Sequence, residues 1–163
     1  RLISMKKLSH LDKSGAASMV DVGAKPKSSR RAIAAVSVKM RKDTLTLIED
    51  GSHKKGDVLS VARIAGIQAA KRCSELIPLC HPLLLEKISV DFVIDFELPG
   101  VQVTASCSLS GKTGVEMEAM TAASIAALTI YDMCKGVDRE ICIDHLRLLE
   151  KHGGKTGSWI NKK

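Results

Sequence analysis

Four aromatic side chains, Phe92, Phe96, Tyr131 and Trp159, are all that 163 residues provide, and this scarcity constrains the fold more than any other feature. A core without large rings must be filled by Ile, Leu, Val, Met and many alanines, and side chains that small let backbone elements approach closely. Surfaces rich in the same residues are also where copies of a chain can meet. With hydrophobic residues at 45%, the chain fills one ordinary core, so one folded domain is expected over residues 19–158. Residues 1–18 are read as a flexible arm and 159–163 as a C-terminal tail.

Strand and helix signals alternate along the chain. Lys6-Lys7 and the small run Ser14-Gly15-Ala16-Ala17-Ser18 lack sustained periodicity. Residues 19–22 suggest a short strand and 24–29 a loop. Imperfect alternation through Ile33, Ala35 and Val38 predicts a strand over 31–40, and Asp43 is placed to cap a short helix over 44–49. The loop 52–56 leads into a long helix with Asp57 near its start and Val58, Val61, Ala62, Ala65 and Ala69 on one face. Ile77-Pro78 marks its end. Two alternating runs, 87–97 and 101–108, joined by Leu98-Pro99-Gly100, predict a hairpin. Gly111-Lys112-Thr113-Gly114 opens a second long helix over 115–135, and 141–149 reads as the last strand. This order predicts an α+β sandwich, a mostly antiparallel sheet with helices covering one face.

The formal net charge is +7, which calls for an anionic partner without naming it. A single-strand nucleic-acid binder interleaves basic residues with aromatic stacking platforms, and four scattered rings cannot supply them. A small polyphosphate explains the charge with less demand on the sequence; a solvated lysine-rich surface is the plain alternative. Five cysteines, Cys73, Cys80, Cys107, Cys134 and Cys142, form no Cys-x-x-Cys pair and fit free thiols in a reducing, cytoplasmic compartment. The opening segment lacks the apolar core of a signal peptide. The longest strongly apolar helical run, 119–131, is about 13 residues long, against the roughly 20 that cross a bilayer.

Gly111-Lys112-Thr113 lies between a strand and a helix, as the end of a phosphate-binding loop should. That loop also needs a glycine at position 106, which is Ser106, and the later Gly154-Lys155-Thr156 likewise meets Leu149 at the matching place. Cys80-His81 invites a thiol-imidazole dyad, but neighbours on an extended segment point apart, and no cysteine or histidine spacing resembles a zinc site. Pro78 and Pro82 restrict the backbone around His81. Thr113-Gly114-Val115-Glu116 matches a capping box, which would occupy Glu116 and leave Glu118 unexplained. Asp132 and Lys135 share a helix face three residues apart. Lys55 precedes Gly56 at the mouth of a helix, where the dipole disfavours an ammonium and makes the amine a candidate general base. Lys71-Arg72, Arg30-Arg31 and Lys151 with Lys155 are candidate phosphate contacts.

Taken together, Met19-Val20-Asp21-Val22, Lys54-Lys55-Gly56-Asp57-Val58, the run from Ala62 to Lys71, Ile77-Pro78-Leu79-Cys80-His81-Pro82, the run from Gly111 to Ala119, and Leu128-Thr129-Ile130-Tyr131-Asp132-Met133-Cys134-Lys135 resemble one family. It is the protein C family of molybdenum-cofactor biosynthesis, the cyclic pyranopterin monophosphate synthases. The resemblance runs in unbroken order from about His10 to Gly157 and departs in the tail around Trp159. It implies a ferredoxin-like subunit in a homohexamer, a trimer of dimers, with active sites at a subunit interface. It further implies a lyase that converts 3',8-cyclo-7,8-dihydro-GTP to cyclic pyranopterin monophosphate and pyrophosphate. No resident cofactor, metal, nucleic acid or membrane is implied; Mg²⁺ accompanying the substrate triphosphate stays open.

Carried over by position, the resemblance gives Lys55, His81, Glu116, Glu118, Asp132 and Lys135 as the catalytic group. It gives Asp21, Arg30, Lys71, Arg72, Leu79, Cys80, Met117 and Lys151 as substrate-binding residues. The expectation is that Lys55 and Lys135 transfer protons, Asp132 sets the charge of Lys135, Glu116 and Glu118 hold the guanine-derived ring, His81 orients or protonates ring or sugar, and the basic residues hold the triphosphate.

Overall fold

The computed structural model describes residues 14–155 and 157–162. Its elements are β1 (Ser28–Lys39), α1 (Lys42–Glu49), α2 (Val58–Lys71), α3 (Cys73–Leu76), β2 (Lys87–Asp95), β3 (Gly100–Gly111), α4 (Glu116–Cys134), β4 (Cys142–His152) and β5 (Trp159–Ile160). The strands form one sheet in the order β2-β3-β1-β4-β5, and every neighbouring pair is antiparallel. With the short α1, α3 and β5 set aside, the connectivity is strand, helix, hairpin, helix, strand. This is the ferredoxin-like α+β sandwich.

The core lies between the sheet and the helices α2 and α4. Val101, Val103, Ala105 and Cys107 of β3 are buried at alternate positions, the period-two pattern of a strand with one covered face, whereas the central β1 adds Ala35 and Ser37 to Ala32, Ala34, Val36 and Val38 and is buried on both faces over 34–38. Facing the sheet are Ala119, Ala122, Ala123, Ala126 and Ile130 of α4. A methyl group buried here contributes only about 0.8 kcal/mol, so the small residues act mainly by letting the layers close. Gly66 of α2 shows how near they come: a Cβ built there would lie 2.9 Å from the Ala122 carbonyl oxygen on α4. None of the four aromatic residues is fully buried.

Five local expectations change. The long helix whose end was expected at Ile77-Pro78 stops at Lys71, and the separate one-turn α3 follows it. Residues 19–22 join no sheet; instead the Val20 carbonyl accepts from His81 Nε2 at 2.8 Å. The first short helix begins at Lys42 with Arg41 as its N-cap, and Asp43 sits inside the first turn. There a distant carboxylate takes over: Asp138, 1% exposed, accepts the Arg41 backbone N–H at 2.9 Å and the Thr44 hydroxyl at 3.2 Å. The capping box at Thr113 does not form either. Val115 is the N-cap of α4, with no side-chain cap, because Glu116 turns to an ion pair with Lys151 at 2.9 Å. Finally, Trp159 and Ile160 in the tail pair with Lys151 and Glu150 as an edge strand.

Candidate active site

Two cavities open beside the N-terminal end of α4. One, of about 580 Å³, is lined by Lys25, Arg30, Lys112, Glu116, Lys151 and Lys155 among others. The other, of about 360 Å³, is lined by Leu79, Cys80, His81, Glu116, Met117 and Glu118 among others. They share Lys25, Thr113, Gly114 and Glu116, so they form one cleft with a cationic half and a half that carries titratable and apolar groups. The loops that bring these residues together are tied by Arg30, whose guanidinium donates to the carbonyls of Gly111 at 3.3 Å and Lys112 at 3.4 Å. Above it, Gly153 has a φ of +92° and would place a Cβ 2.1 Å from the Ser29 carbonyl oxygen. Only glycine lets the 153–154 turn rest on this corner.

Glu118 is 4% exposed, and burial raises its carboxyl above the ordinary range. Its own backbone N–H lowers it, the Glu116 charge raises it further, and contact with Cys73 and the His81 charge oppose the rise. A buried carboxyl of this kind can hold a proton nearer neutral pH and release it in a reaction. His81 Nε2 lies 2.8 Å from the Val20 carbonyl oxygen, which can only accept. The neutral ring therefore carries its proton on Nε2 and presents Nδ1 as its lone-pair nitrogen. Cys80 lines the same cavity, but burial pushes its thiol up, and burial pushes Cys73 up to about 12. A thiolate nucleophile is disfavoured at both positions.

A second cluster sits at the other end of α4. Lys55 Nζ donates to the Asp132 carbonyl at 2.9 Å, and Lys135 Nζ pairs with the Asp132 carboxylate at 2.7 Å. The hydrogen bond and the charge of Asp132 raise Lys135, while Lys135 lowers Asp132, so both are ionised at neutral pH. The Lys55 ammonium lies at the carbonyl end of α4, where a cation is favoured; the expected influence of the α2 N-terminus is not what it meets. Glu118 and Asp132 are separated by 14 positions of one helix, about 21 Å at 1.5 Å per residue.

The residues proposed from the sequence therefore fall into three groups. His81, Glu116, Glu118, Arg30, Leu79, Cys80, Met117 and Lys151 line the cleft. Lys55, Asp132 and Lys135 meet at the far end of α4. Asp21, Lys71 and Arg72 line neither cavity, and the Asp21 carboxylate accepts the Gly23 backbone N–H at 2.7 Å. Sequence reasoning missed Lys25 and set Lys112 aside with the failed phosphate-loop pattern. Lys112 had a usable signal in its strand-to-helix junction, whereas Lys25 shares its loop with Lys27 and nothing local sets it apart. Among the described residues no three His, Cys, Asp or Glu side chains gather as a metal site, and no helix is long and apolar enough to cross a membrane.

The chain is 56% identical over 153 residues to proteins named cyclic pyranopterin monophosphate synthase from Brucella ovis, Brucella melitensis biotype 2 and Brucella abortus, with 94% of this chain and 93% of each relative covered. The sequence profile of the MoaC family matches residues 19–154, a span that holds both ends of α4 and every residue of the cleft named above except Lys155. On these matches, the chain belongs to the MoaC family.

Proposed function

We propose that this chain is a lyase of molybdenum-cofactor biosynthesis that converts 3',8-cyclo-7,8-dihydro-GTP to cyclic pyranopterin monophosphate and releases pyrophosphate. Its Brucella relatives are named for the first of these products. The observation that carries the reading is the cleft itself, where His81 and a buried Glu118, its carboxyl raised by burial, open onto a half lined by Lys25, Arg30, Lys112 and Lys151.

Opening the guanine imidazole ring, rebuilding it as a pterin and closing a cyclic phosphate all move protons on and off nitrogen and oxygen. Glu118 is suited to give a proton to the ring, and His81 Nδ1 to take one or to orient the sugar. Glu116, at the junction of the two cavities, holds the ring while its partner Lys151 faces the phosphates. The cations neutralise the triphosphate and the departing pyrophosphate. The reading calls on no resident cofactor, and Mg²⁺ bound to the triphosphate would arrive with the substrate.

Lys55, Asp132 and Lys135 lie too far from the cleft to touch the same substrate within one chain. The reading is therefore that a second copy brings its α4 C-terminal end to this cleft, in a homohexamer built as a trimer of dimers. Val61, Ile64 and Leu128, exposed on α2 and α4, support such a contact. Unpaired Cys73, Cys80, Cys107, Cys134 and Cys142 support a reducing, cytoplasmic setting. Asp21, Lys71 and Arg72 are assigned to substrate held across that contact.

The test is incubation of the purified protein with the cyclised nucleotide, with pyrophosphate and pterin product assayed together. Lys55→Ala is expected to bind the nucleotide and lose about 10²- to 10⁴-fold in turnover, the range of a general acid-base group. A polynucleotide-binding protein would instead show no product and steep salt dependence of RNA binding.

A further inference from the structure

His53 lies two residues before Lys55 and is only 8% exposed, yet neither the core nor the proposed chemistry uses it. Its Nδ1 accepts the Lys55 backbone N–H at 3.2 Å, and its carbonyl accepts the Gly56 N–H at 2.9 Å. Gly56 has a φ of +91°, so the chain turns tightly here before Asp57 caps α2. From this turn the Lys55 side chain reaches across to the Asp132 carbonyl at 2.9 Å. The imidazole thus holds one end of a lysine whose other end is fixed on α4.

To accept that N–H, Nδ1 must be unprotonated, which puts the proton of the neutral ring on Nε2. Nε2 is buried and has no partner among the described residues. Stranding a donor in this way is destabilising, and a ring without polar atoms would fill the same space at lower cost. What such a ring could not supply is the acceptor in use, the Nδ1 that holds the Lys55 backbone N–H.

We infer that His53 is a positioning residue for the MoaC-type reaction: its Nδ1 fixes the turn from which the Lys55 ammonium is presented at the end of α4. The inference rests on the proposed catalytic role of Lys55. With the clamp removed, the turn loosens and the amine is misplaced, which slows turnover more than it weakens binding.

The experiment uses the assembled protein and follows pyrophosphate release from the cyclised nucleotide, alongside thermal unfolding. His53→Phe keeps a buried ring and removes both nitrogens. His53→Asn restores an acceptor, because an asparagine oxygen can take the N–H two residues on, as the Asp21 carboxylate does toward Gly23 at 2.7 Å. His53→Phe should melt at or above the parent temperature while kcat falls about 10- to 100-fold and KM stays within about twofold. His53→Asn should recover most of that kcat. If the phenylalanine variant does not fold, His53→Ala replaces it. Parental kcat in the folded Phe or Ala variant beside an inactive Lys55→Ala, or an Asn variant no faster than the Phe one, overturns the inference and leaves the proposed function standing. Parental kcat in Lys55→Ala overturns the catalytic role of Lys55 on which the inference rests.

Discussion

Burial is the largest influence on the Glu118 carboxyl, and it acts in the direction that lets an acid work near neutral pH. The same shift has a consequence for stability. Below the ordinary value of 4.5 both folded and unfolded chains hold the proton. Between that value and the raised one, the folded chain keeps a proton that the unfolded chain has lost, so stability falls as pH rises through this window. Above it the penalty is complete. Glu118→Gln, uncharged throughout, should therefore gain in melting temperature relative to the parent as pH rises above 4.5 and keep that gain once the window is passed, as read by calorimetry at each pH. Its turnover should fall about 10²- to 10⁴-fold. Asp132 and Lys135 form the opposite case, an exposed pair in which each partner favours the charge of the other. His81 and Glu118 could be named from the local runs around them. What touches them could not: Val20 is 61 positions from His81, and nothing in either segment announces the other.

At the scale of elements, α2 and α4 are held by contacts that only small residues permit. Gly66→Ala raises helix propensity by about 1 kcal/mol, but its Cβ would meet the Ala122 carbonyl oxygen at 2.9 Å and Ala126 Cβ at 3.2 Å. Backbone cannot swing aside as a flexible side chain can. The net expectation is a loss of about 1–3 kcal/mol from overpacking, measured by denaturant unfolding with an unchanged m-value. The β2–β3 hairpin and the two long helices were legible because their periodicities are sustained over many residues. The start of α2 at Asp57 was legible too, but the caps of α1 and α4 were not, and the reason is tertiary. Asp138 reaches α1 from 94 positions away, and Lys151 draws Glu116 out of its capping box. The edge strand β5 was hidden in the same way, since two residues in a glycine-rich tail carry no period and pair only because β4 offers an open edge.

For the whole molecule, the two clusters about 21 Å apart along α4 set a test of assembly. Glu118→Gln and Lys135→Ala are each expected to be inactive as homogeneous proteins. Coexpressed in one assembly, they should regain part of the parental turnover, because a cleft with an intact Glu118 from one copy can meet an intact Lys135 from another. No regain in verified mixed assemblies would mean that the two ends of α4 do not serve one site. The sequence by itself determined the fold class, through period-two and helical patterns that are local properties of the chain, and the chemistry available, through residue types in specific runs. The tertiary structure decided which of those residues share a cleft, because a helix of 19 residues is rigid and keeps its ends apart however close they stand in the sequence motif. It also shifted an acid: the desolvation that raises the Glu118 carboxyl comes from the rest of the fold closing over it, a burial that no stretch of neighbours can produce alone.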